Sequence, residues 1–150
     1  MVGARGRGTV RPMSERLTAR DVNEAKLEAL IETMYLAAKA DEEFNADERA
    51  HFVLSVESLT DKRLEGDKLE QLLARFEADQ QKKGQHECLL ALKARLGDDA
   101  TCRLALSMAI RMLAADGILR TSEREFILEM AETLGIDRGV AADLVNEIAL

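Results

Sequence analysis

The sequence predicts an all-α fold: a single compact helical domain of about seven helices built on two related helix-turn-helix repeats. Three observations carry that expectation. From residue 21 onward, apolar residues recur at the three- and four-residue spacing of helix faces. With four Phe and one Tyr, the core must be built from Leu, Ala, Ile, Val and Met, which suits closely packed helices better than a sheet. The third is a recurrence at an interval of 75 positions: Ala40-Asp41 and Glu48-Arg49 return as Ala115-Asp116 and Glu123-Arg124. The register then holds to Glu57-Ser58-Leu59 against Glu132-Thr133-Leu134. Each Asp ends an apolar helical pattern, and each Glu-Arg pair falls in the first turn of the next.

Residues 1–20 read as a flexible basic tail, with Gly3, Gly6 and Gly8 set among arginines and Pro12 as the chain's single proline. The helical domain is expected over residues 21–150. Leu27, Leu30, Ile31, Met34, Tyr35 and Ala38 mark one face of the first helix. The second runs from about Ala46 to Leu59, with Phe52, Val53, Val56 and Leu59 inward. A third carries Leu69, Leu72, Leu73 and Phe76 and stops at Gly84; Gly84 and Gly97 frame a shorter fourth with Leu89, Leu90 and Leu92. Asp98-Asp99 precede the fifth, which bears Leu104, Met108, Met112 and Leu113 and ends at Asp116. The last two helices divide at Leu134-Gly135-Ile136-Asp137. There Gly135 takes the left-handed stop, Ile136 packs back and Asp137 caps the next start.

The formal charge of −7 conceals an asymmetry. Arg5, Arg7, Arg11, Arg16 and Arg20 against Glu15 give the tail +4, which leaves −11 on the body. An acidic body argues against a nucleic-acid surface and favours cations or basic partners. As a tether to anionic lipid, the tail would bind weakly and salt-sensitively. Cys88 and Cys102 stand outside any metal-ligand spacing and read as buried, reduced thiols. No apolar run is long enough for a transmembrane segment, and the tail lacks the apolar stretch of a secretory signal, so a cytoplasmic location is expected. No nucleophile–base pair, glycine-rich phosphate loop or HExxH motif is present, and an enzyme is not expected.

The acidic turns admit two readings. A negative charge at a helix C-terminus is unfavourable by about 0.3–1 kcal/mol, so something local must offset Asp41 and Asp116. In one reading each Asp accepts backbone N–H groups of its turn, and Gly117 supplies the positive φ. Asn45-Ala46-Asp47-Glu48 has capping-box spacing, whereas Arg120 is a poor cap. A box shifted to Ser122 and Glu125 would leave Glu123 unneeded for capping. In the other reading the carboxylates of Asp41, Glu48, Asp116 and Glu123 hold a hard divalent cation, Ca²⁺, Mg²⁺ or Mn²⁺. Asp41-x-Glu43-x-Asn45-x-Asp47 imitates an EF-hand loop but has Ala46 in place of the glycine and Phe52 in place of the closing glutamate. His51 either extends such a site or pairs with Asp47, one turn away.

Met112-Leu113-Ala114-Ala115-Asp116-Gly117-Ile118-Leu119, followed by Glu123-Arg124-Glu125-Phe126-Ile127 and closed by Thr133-Leu134-Gly135-Ile136-Asp137, resembles the TerB-like family. These are the small helical proteins of bacterial tellurite resistance, also found as the N-terminal module of DjlA co-chaperones. The first copy, Ala37-Ala38-Lys39-Ala40-Asp41-Glu42-Glu43-Phe44, departs by placing Glu42 where glycine is usual. The resemblance spans roughly residues 21–150. It implies a non-catalytic stress-response module, associated with divalent cations and with other Ter-type proteins near the inner membrane. The alternative it leaves open is a metal-independent interaction domain of the adaptor or co-chaperone type. A binder of that kind would present an apolar groove, with Met108, Met112 and Met130 as its candidates, although all three stand at core spacing.

Overall fold

The structure, a computed structural model, describes residues 17–39, 44–115, 117 and 119–149. Among these, the chain forms seven α-helices and no strand. They are α1 (Glu24–Ala38), α2 (Ala46–Leu59), α3 (Gly66–Lys83), α4 (Gln85–Leu96), α5 (Asp99–Leu113), α6 (Thr121–Thr133) and α7 (Arg138–Ala149).

Local chemistry fixes most of the boundaries. Asn23, Asn45 and Asp98 each cap a helix by accepting the backbone N–H three residues on. At the end of α6, Gly135 sits at φ 78°, Ile136 N–H reaches back to the Ala131 carbonyl at 2.8 Å, and Ile136 is buried. That is the left-handed stop the sequence announces. Asp137 then accepts from the N–H groups of Gly139 and Val140 at 2.7 and 3.3 Å, opening α7.

α1 differs from its expected one-sided form. Every residue from Ala29 to Ala37 is buried. A helix enclosed on all sides belongs at the centre, and α1 packs on α2, α3, α4, α5 and α6. Polar side chains on its inner turns need partners there: Thr33 Oγ1 donates to the Ala29 carbonyl at 2.9 Å, and buried Glu32 accepts from Arg95 of α4. Tyr35, 1% exposed, meets the rings of Phe44, Phe52 and Phe76, and burial, followed by the charge of Glu77, pushes its phenol up to about 12. α5 lies against α1 and also packs on α2, α4, α6 and α7. Cys88 and Cys102 are buried free thiols, both pushed up chiefly by burial.

A turn outside the predicted helices precedes α1. Ala19–Asp21 forms one turn of 3-10 helix, closed because Asp21 accepts the Thr18 N–H at 2.8 Å. Ala19 and Val22 are buried, and Leu17 packs on the core, so these residues belong with the body. The earlier part of the expected basic tail, through Arg16, lies outside the described residues.

Candidate functional site

The described helix ends on either side of the two turns come together. α1 and α5, the helices that lead into them, pack together; α1 also touches α6, and α5 also touches α2. Where the four helix ends converge is a cavity of about 220 Å³ lined by Ala38, Glu48, His51, Phe52, Met112, Leu113, Arg120 and Glu123. Glu48 and Glu123, matched by the sequence recurrence, therefore share one pocket. Its walls are apolar, contributed by Ala38, Phe52, Met112 and Leu113, and its polar groups come from the first two turns of α2 and the start of α6.

Each glutamate is positioned by a cap. Asn45 Oδ1 accepts the Glu48 N–H at 2.9 Å, and Glu48 Oε1 accepts the Asn45 N–H at 3.3 Å, completing the expected box. In the second copy the expectation is corrected. α6 begins at Thr121 with Arg120 as cap residue, and Glu123 Oε1 accepts the Arg120 N–H at 2.9 Å. Glu123 thus does have a capping role, and the shifted box at Ser122 and Glu125 is not the one that opens the helix. The reason is geometric: a carboxylate at the third helical position reaches back to a backbone N–H, which every residue but proline supplies. Each glutamate commits one oxygen in this way.

His51 does something neither sequence reading anticipated. Its Nε2 lies 3.3 Å from the Met112 carbonyl, tying α2 to the C-terminal end of α5 across 61 residues of sequence. Gly117 adopts φ 88° and donates its N–H to the Ala114 carbonyl at 2.8 Å, with open space where a Cβ would stand, so conformation alone calls for glycine there. Asp41 and Asp116 lie outside the described residues.

The nearby cations are engaged elsewhere. Arg49, next to Glu48, pairs with Glu70 of α3, and Lys39 lies 5.8 Å from the Tyr35 ring centroid and 6.0 Å from that of Phe44. Arg120 is the basic side chain among the pocket's lining residues. Among the described residues, no group of three or more His, Cys, Asp or Glu stands close enough together to hold a metal ion. Two glutamate oxygens suit a hard cation in kind, yet six to eight ligands are usual for Ca²⁺. Of the predicted set, Asp41 and Asp116 would have to supply the rest, with backbone carbonyls or water.

Seven helices, with the starts of α2 and α6 lining a common pocket, define a small all-α module. Comparison of sequences then places it: the family model described as tellurite resistance protein TerB matches residues 27–144. The chain belongs to the TerB family. No curated protein and no solved structure matches it. Among the described residues no helix is long and apolar enough to cross a membrane.

Proposed function

We propose that this protein is a non-catalytic TerB-family module of tellurite or general stress tolerance, acting in the cytoplasm with protein partners, other Ter-type proteins near the inner membrane among them. Its working site is the pocket at the starts of α2 and α6, where a divalent cation is held by Glu48 and Glu123 together with Asp41 and Asp116. The observation that carries this reading is the convergence of Glu48 and Glu123, far apart in sequence, on one cavity. Oxygen donors of this kind favour Ca²⁺, Mg²⁺ or Mn²⁺ over softer metals.

The cation's contribution would be electrostatic. It would join the first turn of α2 to the first turn of α6 across a pocket that Arg120 lines beside the two glutamates. The test is thermal unfolding in EDTA, then with each ion titrated in. A ligand that binds the folded state alone stabilises it by about 2.7 kcal/mol at a hundredfold excess over Kd. An ion-selective rise in Tm supports the proposal, and no rise up to millimolar ion removes it.

The metal-independent reading keeps one specific support: half the pocket's lining residues are apolar, as a docking surface would require. The methionines that such a surface would use argue the other way. Met108 and Met112 are 3% exposed and Met130 is 0%, so all three belong to the core.

A further inference from the structure

α2 is held more lightly than α6. It buries Phe52 and Val56, whereas α6 buries Phe126, Ile127, Met130 and Ala131. It packs chiefly on α1 and α5, whereas α6 packs on α1, α4, α5 and α7. Its far end is strained. Asp61 and Lys62 stand at φ 54° and 59°, a region unfavourable to side chains, for lysine more than for aspartate. They close the helix with a bond from Lys62 N–H to the Glu57 carbonyl at 2.8 Å.

The segment before α1 pins this corner. Arg63 donates from one guanidinium nitrogen to the carbonyls of Ala19 and Val22, at 2.7 and 2.8 Å, in a partly buried setting. Asp61 also accepts from Arg20, but that pair is exposed and contributes little. The charge-assisted grip of Arg63 is the stronger hold. At the opposite end, α2 carries Glu48 and His51 into the pocket.

We infer that α2 is a hinged arm that opens as a unit about Asp61 and Lys62, with Arg63 on the Ala19 and Val22 carbonyls anchoring the pivot and His51 on the Met112 carbonyl as the latch at its free end. Opening moves Glu48 and His51 away from Glu123, so the pocket exists only in the latched state. Any consequence for cation binding rests on the proposed function; the hinge itself does not.

Native-state amide hydrogen exchange on the full chain in EDTA tests the hinge without a cation. Amides of α2 are expected to exchange through a local opening at least about tenfold faster than those of α1 and α5, which report global unfolding. His51→Ala should speed α2 by a further factor of about five while leaving α5 unchanged, since it removes the hydrogen bond that opening must break. Lys62→Gly should act in the opposite sense and slow α2 roughly fivefold by removing strain from the closed state. Exchange of α2 at the rate of α5 in the unmodified chain overturns the hinge, as does a His51→Ala variant that accelerates every helix alike. A flat cation titration alongside the expected exchange pattern removes the cation reading and leaves the hinge standing.

Discussion

The helix after the first acidic turn begins at Asn45, whose side chain accepts the Glu48 N–H at 2.9 Å, while the helix after the second begins at Arg120, which offers no side-chain cap. In both, the glutamate at the third position closes back on the cap residue's N–H. The difference tracks tertiary support. α6 is gripped by four other helices and buries four side chains. α2 rests chiefly on two and buries two, and it keeps the complete box. Local capping and burial are thus alternative ways to hold a helix start in place, and the thinly packed arm relies on the first.

The sharpest way to break this comparison is to remove one buried side chain from each arm. Phe52→Ala should cost about 3–5 kcal/mol and Met130→Ala about 2–5 kcal/mol in urea unfolding, since both side chains are fully enclosed. The pattern of the loss matters more than its size. Phe52→Ala should strip hydrogen-exchange protection from α2 in particular, and Met130→Ala should lower it throughout the core. An even loss in both variants would erase the distinction between the arms.

Exchanging the caps probes the same contrast more gently. Asn45→Ala should destabilise by about 1 kcal/mol, and Arg120→Asn should stabilise by about 0.5–1 kcal/mol, because it supplies the missing acceptor. Denaturant midpoints check both signs. A destabilising Arg120→Asn would mean that the arginine side chain does work in the pocket that its backbone does not explain.

The smallest effect lies at the α5 start. Asp98 accepts the Thr101 N–H at 2.7 Å and pairs with Lys26 of α1, and those bonds, with the backbone one the largest, lower its carboxyl to about 2. A depressed carboxyl contributes stability above its unfolded value near ~3.9 and loses it as pH falls toward the folded value. Between those limits the unmodified chain should lose urea resistance more steeply than Asp98→Asn, which still caps but does not titrate. Parallel pH curves would show that the Asp98 carboxylate adds nothing to folding.

Most of the fold is legible in the sequence because its signals are local. α2 comes out at Ala46–Leu59 as expected, since Asn45 and Glu48 mark its start within a single turn. The stop at Gly135 is equally local. The 3-10 turn at Ala19–Asp21 goes unread although Thr18 and Asp21 carry capping-box spacing, a signal hidden among the arginines of the tail. The enclosure of α1 is not legible, because Ala29, Thr33 and Ala37 look like a second, neutral face until neighbours cover it. Of the site, the two glutamates are visible through the recurrence, whereas their meeting is a product of helix packing. His51 on the Met112 carbonyl has no sequence signal, because a backbone carbonyl acts as its partner and any residue would supply one.

The central claim is that both acidic turns serve a single site, and a double-mutant cycle on cation-dependent stability tests it most directly. Glu48→Gln, Glu123→Gln and the double variant would each be unfolded thermally in EDTA and in saturating Ca²⁺, Mg²⁺ or Mn²⁺. If one ion bridges α2 and α6, each single variant loses nearly all of the ion-dependent rise, and the double loses no more. Independent, additive losses from the two singles, or an undiminished rise in the double variant, would contradict a shared site.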